Sequence, residues 1–178
     1  MCLTNCIRIR NKEGGLKTYK FFVLSTDSPD EEGVFESPFF KELWIPGETH
    51  HVADYDEANI SGERLFEEVL RMSQERDIIT GPAYHSYSNL TDAMSEAVYF
   101  YRDHDFCRRV FVAECTIPEE SEYVYQGIDN YDSNNLAYAS QMLRFDRVLC
   151  EINRDIATKV THFFETALEL TKEIEGND

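Results

Sequence analysis

The sequence predicts an α+β domain in which two or three helices pack on a small, mainly antiparallel sheet. Strand-like and helix-like segments follow one another in the order β-β-α-α-β-β-β-α, which is typical of this class. Of the 178 residues, 42% are hydrophobic and 13% aromatic, so the chain can bury a core without disulfides or metals. An apolar pattern near the C-terminus adds a long final helix. We therefore expect a single domain over residues 1–178.

The first segments predict strands joined by turns. LKTYKFFVL, at 16–24, is rich in aromatic and β-branched residues and predicts a strand. The composition of 27–33, DSPDEEG, predicts a turn. Residues 34–45 predict one or two short strands, with Pro38 at an edge or bend, and the Pro-Gly pair at 46–47 turns the chain.

Two helices are predicted in the middle of the chain. Ser61 has the character of an N-cap, and apolar residues at helical spacing follow it over 62–77. The second helix is predicted over 90–102. Asn89 is its expected cap, and Asp92 follows three residues later in a loose capping box.

The next segments predict three more strands. RRVFVAECTI, at 108–117, is apolar on both alternations, as expected for a central strand. Strands are also predicted at 122–126 and 143–152. The Gly, Asn, Asp and Ser content of 127–135 predicts a loop between them, and Tyr138 is likewise expected in a loop.

The final helix is predicted over 155–175 and carries an apolar seam at heptad spacing. The seam falls short of three full repeats, so packing on the sheet is favoured over a coiled coil, and a homodimer through the seam is the alternative. The seam residues are Ile156, Val160, Phe163, Ala167, Leu170 and Ile174.

Acidic charge dominates the composition. The chain has 34 acidic and 17 basic residues, for a formal net charge of −17. Such a field repels phosphate backbones and attracts basic surfaces, so we do not expect direct nucleic-acid binding. High solubility alone is the competing interpretation.

The cysteines and the motif search exclude several classes. The five cysteines are odd in number and lack zinc-finger spacing, which indicates reduced thiols in a cytosol. We find no signal peptide, no membrane-length apolar run, no Gly-rich phosphate loop and no nucleophile elbow. We therefore expect no metal, no cofactor and a cytoplasmic protein.

Aromatic residues surround the start of the second helix. Tyr84, His85 and Tyr87 precede it, and further tyrosines follow downstream. Tyrosines beside carboxylates can bind small polar ligands, but they are also favoured in protein interfaces. A third interpretation is that they are half-buried at the rim of the sheet.

Several short motifs follow one another along the chain in a recognisable order. They are Tyr84-His85 with Tyr87, Asp92-Ala93, Glu114-Cys115-Thr116-Ile117-Pro118, Tyr125-Gln126-Gly127 and Tyr138-Ala139-Ser140. This pattern, YHSY…TDA…ECTIP…YQG…YAS, resembles a group of small phage and prophage accessory proteins. The resemblance covers residues 16–152 as a phage-type core, with the helix at 61–77 as an insertion and 153–178 as a helical extension.

The resemblance implies an accessory protein of a mobile element. Together with the charge, it suggests an inhibitor of a host defence protein, similar to anti-CRISPR proteins. Such an inhibitor acts in the host cytoplasm, where it blocks or alters the basic nucleic-acid channel of an RNA-guided nuclease. The expected contact residues are Asp27, Asp30, Glu31, Glu32, Glu36, Asp54, Asp56, Glu57, Glu119, Glu120 and Glu122.

The alternative is a nucleotide-modifying enzyme, similar to ADP-ribosyltransferases. In that hypothesis His85 and Tyr87 grip the ligand and Glu114 acts as the catalytic acid. A protein that binds its target stoichiometrically, without catalysis, is the favoured interpretation.

Overall fold

The computed structural model describes residues 6–10, 14–25, 33–38, 42–52, 56–57, 60–61, 83–105, 108–126 and 137–160. The chain divides into two compact units. The first unit comprises Met1–Thr18, Thr49–Ser88 and Cys115–Arg144, and the second comprises Tyr19–Glu48, Asn89–Glu114 and Phe145–Asp178.

Strands make up most of the described residues. The strands are β1 (Cys6–Arg10), β2 (Leu16–Leu24), β3 (Phe35–Glu36), β4 (Leu43–Trp44), β5 (Thr49–His51), β6 (Asp56–Glu57), β7 (Ile60–Ser61), β8 (Tyr84–Tyr87), β9 (Val110–Ile117), β10 (Glu122–Gln126), β11 (Ala137–Ser140) and β12 (Met142–Ile152). The helices are α1 (Leu90–Asp103) and α2 (Arg154–Val160).

The large sheet has the strand order β1-β10-β11-β8-β2-β9-β12-β5. Its pairings β1–β10, β10–β11, β11–β8 and β12–β5 are all antiparallel. A separate two-stranded ladder joins β6 to β7. Gly15 precedes β2 where it passes β9, and a Cβ atom at this position would overlap the Thr116 side chain.

The second unit buries an aromatic cluster on one face of its strands. β3 pairs with β2 and with β4, so a short antiparallel hairpin extends the sheet. The Phe22 ring stacks on Phe145, with 4.6 Å between centroids, and lies 5.5 Å from Trp44. Phe35 contacts Phe145 and Phe111 edge to face. Burial of these large rings stabilises this unit.

Helix α1 belongs to the second unit and begins as the sequence predicts. Asn89 adopts an extended backbone, and its side chain accepts a hydrogen bond from the backbone NH of Asp92. The apolar stripe of the helix is buried, and Phe100 contacts Phe21 on β2 at 5.4 Å. Arg102 donates a hydrogen bond of 2.6 Å to the Ala157 carbonyl, which ties α1 to α2.

The predicted fold class is wrong. We expected a small sheet packed by two or three helices, with a long C-terminal helix. Instead, a large, mainly antiparallel sheet of ten strands dominates, and the described part contains two short helices of 14 and seven residues. Short strands account for the difference, because the sequence pattern did not predict β1, β5, β8 and β11.

Individual elements agree better with the sequence. The predicted strand at 16–24 is confirmed as β2, and the predicted strands at 108–117 and 122–126 correspond to β9 and β10. Tyr138 lies in β11 and not in a loop. The predicted helix at 62–77 and the seam beyond residue 160 lie outside the described residues.

Candidate functional site

A tight turn in the first unit holds two carboxylates towards solvent. β9 ends at Ile117 and β10 begins at Glu122, and the backbone NH of Ser121 donates to the Pro118 carbonyl across a 3.1 Å hydrogen bond. The two central residues of this turn, Glu119 and Glu120, are exposed. We call Pro118–Ser121 the acidic turn.

Ser121 fixes the acidic turn to the sheet. Its side chain is fully buried, and its hydroxyl donates to the Glu122 carbonyl at 3.1 Å. The same hydroxyl accepts a 3.0 Å hydrogen bond from the backbone NH of Met142. The backbone NH of Gln141 also donates to the Glu122 carbonyl. The backbone beneath the two carboxylates is therefore already ordered before any partner binds.

The carboxylates of the acidic turn are not neutralised within the described part of the chain. Neither Glu119 nor Glu120 forms an ion pair there. Elsewhere, Glu151 forms two hydrogen bonds to Arg109, at 2.8 and 2.9 Å, and these bonds lower the pKa of the Glu151 carboxyl. Glu114 lies 3.4 Å from Arg147. The negative potential of the turn is thus directed to solvent.

Tyrosines and serines share one face of β10, β11 and β8. In the antiparallel register Tyr125 lies opposite Tyr138, and Tyr138 lies opposite Ser86. The next row places Tyr123 opposite Ser140, which lies opposite Tyr84. Residues two apart on a strand point to the same side, so these six residues form one surface, which we call the tyrosine face.

The rings of the tyrosine face pack against one another. The Tyr138 centroid lies 5.5 Å from that of Tyr123 and 5.4 Å from that of Tyr125. Burial raises the pKa of both Tyr123 and Tyr138, and the neighbouring phenols raise that of Tyr138 further. These hydroxyls are therefore protonated at neutral pH and are available as hydrogen-bond donors.

One end of the tyrosine face contacts strand β5 within the first unit. The ring of His50 on β5 contacts that of Tyr84 on β8 edge to face, with 6.4 Å between centroids. Ser140 donates to the Tyr84 carbonyl at 3.2 Å. The Ser86 hydroxyl is buried and makes no hydrogen bond within the described residues.

The residues of the enzyme hypothesis are divided between the units. His85 and Tyr87 lie on the side of β8 that faces away from the tyrosine face, opposite Ala139 and Ala137. His85 is half-buried and Tyr87 is buried. Glu114 belongs to the second unit, where it pairs with Arg147. The structure therefore brings His85 and Tyr87 to one surface, while Glu114 has an ion-pair partner in its own unit.

The predicted acidic contact residues have different environments. Glu119 and Glu120 are exposed, and Glu122 and Glu36 are half-buried. Glu36 accepts a 2.8 Å hydrogen bond from the Ser25 hydroxyl, so it has a structural role. Asp56 and Glu57 form strand β6. The remaining predicted contacts, Asp27, Asp30, Glu31, Glu32 and Asp54, lie outside the described residues.

The sequence interpretation missed the tyrosine face because it did not predict β8 or β11. Both segments, YHSY and AYAS, mix aromatic with small residues, and neither shows the sustained alternation with period two that indicates a strand. At four residues, each is too short to be distinguished from a loop by this signal alone. Their register, which gathers the tyrosines, depends on pairing with distant segments.

The described part of the chain has two free thiols and no cluster of three possible metal ligands. No three His, Cys, Asp or Glu side chains are grouped there as metal ligands. Cys115 and Cys150 are free thiols, and burial raises the pKa of Cys150 to about 11, which keeps it protonated and unreactive at neutral pH. Among the described helices, none is long and apolar enough to cross a membrane.

Comparisons of the chain with protein-family models, with curated proteins and with solved structures give no match. The resemblance to phage accessory proteins rests on the short motifs alone. The function is therefore inferred from charge and geometry.

Proposed function

We propose that this protein is an acidic, phage-type accessory protein that binds and inhibits a host defence protein by occupying a basic nucleic-acid channel. One observation carries the proposal: Glu119 and Glu120 are exposed and form no ion pair within the described residues, on a turn held by hydrogen bonds, in a chain with a net charge of −17. The inhibitor acts by binding, without chemistry of its own.

Electrostatic complementarity supports this mode of action. A channel that holds a guide–target duplex is lined with Lys and Arg, and fixed carboxylates are steered into such a channel. The backbone of the acidic turn is ordered in advance by Ser121, so binding does not have to order it. Accurate placement of the charges therefore raises affinity as well as the rate of association.

The tyrosine face offers adjoining contact area in the same unit. Tyr125 and Tyr138 are half-exposed and stabilised by each other's rings. β10, which carries Tyr125, starts directly after the acidic turn. Tyrosines next to charge are typical of the energetically dominant residues of interfaces.

The test compares two double substitutions that remove equal charge. Glu119→Gln/Glu120→Gln removes the carboxylates that are not neutralised, and Glu114→Gln/Glu151→Gln removes two that are already ion-paired. Affinity for a panel of purified RNA-guided nucleases is measured by calorimetry at low and high salt. The first variant should lose about tenfold or more in affinity and show a weaker salt dependence, while the second should lose little.

Circular dichroism is used as a control to check that both variants fold. A wild-type affinity that does not change with salt, or an equal loss in both double variants, would contradict the proposal.

An ADP-ribosyltransferase-like enzyme is the second candidate, favoured by the shared face of His85 and Tyr87 on β8. Incubating the protein with NAD and a host lysate tests it. An added mass on a target protein that disappears with His85→Ala would support the enzyme. Inhibition without any modified product would support the stoichiometric inhibitor.

A further inference from the structure

The tyrosine face has hydrogen-bonding capacity that the described residues do not use. Tyr123, Tyr125 and Tyr138 contact one another through their rings, but none of their hydroxyls has a hydrogen-bond partner in the described part of the chain. The Ser86 hydroxyl on the same face is fully buried and has no partner there either. Buried hydroxyls in proteins nearly always have a partner, so these groups are suited to receiving one from a ligand.

Two rings of the tyrosine face are accessible to such a ligand. Tyr125 and Tyr138 are half-exposed, with 5.4 Å between their centroids and an angle of 31° between their planes. Tyr123 packs against Tyr138 at 89° and supports that ring from the side. The face therefore presents aromatic surface and hydroxyl oxygens together, on rings that are held in place by their neighbours.

The acidic turn supplies negative charge beside the tyrosine face, within the same unit. Glu119 and Glu120 are exposed and form no ion pair with the residues that the structure describes. Tyr123 follows Glu120 by three residues, which places their Cα atoms within about 11 Å of each other. This separation is comparable to the Debye length of about 10 Å at 0.1 M salt, so the carboxylates favour a cation bound at the rings.

Arginine matches this combination better than lysine does. Its planar guanidinium group stacks on aromatic rings and is more weakly hydrated than an ammonium group. It also carries five N–H donors, and a protonated phenol accepts hydrogen bonds through its oxygen. Charge alone attracts arginine and lysine alike, so the rings add a selectivity that the acidic turn lacks.

We infer that the tyrosine face binds an arginine side chain of a basic partner protein, with the guanidinium group against the rings of Tyr125 and Tyr138. The inference rests on the proposed function, because it names the side chain through which the basic target is recognised. The acidic turn steers the basic surface towards the first unit, and stacking on the rings then slows dissociation.

Two labelled synthetic peptides of equal length and equal positive charge test the inference. In one, arginine alternates with glycine, and in the other lysine alternates with glycine. Binding is measured by fluorescence anisotropy at low salt for the wild type, for Tyr125→Leu/Tyr138→Leu and for Tyr99→Leu. The last variant is the matched control, because Tyr99 is 70% exposed and belongs to the second unit. The comparison of the two peptides on the wild type holds even if a substitution impairs folding.

The wild type and Tyr99→Leu should bind the arginine peptide about fivefold more tightly than the lysine peptide. Tyr125→Leu/Tyr138→Leu should bind both peptides equally and keep the wild-type affinity for the lysine peptide. A wild type without any preference, or a folded double variant that keeps it, would refute the inference while the proposed function stands. If the wild type binds neither peptide, the proposed function itself fails. A wild-type dimer in light scattering that dissociates in the double variant would identify a second copy as the occupant and overturn the inference.

Discussion

Asp92 is a buried carboxylate at the start of helix α1, where burial disfavours its charged form. It is 3% exposed and accepts a 2.6 Å hydrogen bond from the side-chain amide of Asn89. Its backbone NH donates to the side-chain oxygen of Asn89, which caps the helix. Burial raises the pKa of Asp92 above 3.8, the Asn89 hydrogen bond opposes this rise, and the charge of Glu96 adds to it. The net direction shows that burial outweighs the cap hydrogen bond.

The effect of Asp92→Asn on the unfolding free energy should therefore become more favourable as pH rises. A raised pKa means that the folded protein favours the protonated carboxyl more than the unfolded chain does. The wild type therefore loses stability as the pH rises from below 3.8 through the raised pKa. The amide keeps a hydrogen-bond acceptor for Asn89 and never ionises. The difference in unfolding free energy, variant minus wild type, should be more positive at pH 7 than below pH 3.8.

Urea unfolding at both pH values measures this difference. Asp103→Asn is the control, because Asp103 is exposed on the same helix. A difference for Asp92→Asn that stays constant with pH would show that burial does not govern this carboxyl.

At the scale of elements, long periodic segments were predictable and short ones were not. β2, β9 and α1 each carry their signal over eight residues or more, and the Asn89 cap marks the start of α1. β8 and β11 have four residues each, and they form only by pairing with each other and with other strands of the sheet. Without these two strands the predicted sheet is small, and the helices make up too large a share of the predicted fold.

The candidate site was also only partly predictable from the sequence. The sequence identifies Glu119 and Glu120 as acidic contact residues, and they lie between two predicted strands. It does not reveal that Ser121 is the residue that fixes this turn. It also does not assemble the tyrosine face, because that surface exists only in the register of three strands.

Gly15 marks a place where two elements leave no room for a side chain. An added Cβ would overlap Thr116 Cγ2 on β9 and lie 3.4 Å from the Ile117 carbonyl oxygen. Gly15→Ala should reduce the unfolding free energy by about 1–3 kcal/mol, as measured by urea denaturation. Thr116→Ser removes the overlapping methyl group, so the same alanine should cost less in that background. An equal cost in both backgrounds would show that the overlap with Thr116 is not the cause.

At the scale of the whole molecule, the charge acts on stability as well as on recognition. The chain carries twice as many acidic as basic residues. Some of the carboxylates are compensated locally, as Glu151 is by Arg109, whereas Glu119 and Glu120 form no ion pair in the part of the chain that the structure describes. Folding brings the uncompensated charges closer together than they are in the unfolded chain, so self-repulsion opposes the compact state.

Added salt should therefore stabilise this protein. Raising sodium chloride from about 0.05 M to about 0.5 M shortens the Debye length and screens the repulsion, while the buried aromatic cluster is little affected. We expect a gain of about 1 kcal/mol, or roughly 2–4 °C in the unfolding temperature measured by calorimetry. Glu119→Gln/Glu120→Gln should show a smaller gain, because two uncompensated charges are already removed. An unfolding temperature that stays constant or falls with salt would mean that local ion pairs, and not the net charge of −17, dominate the electrostatics of the fold.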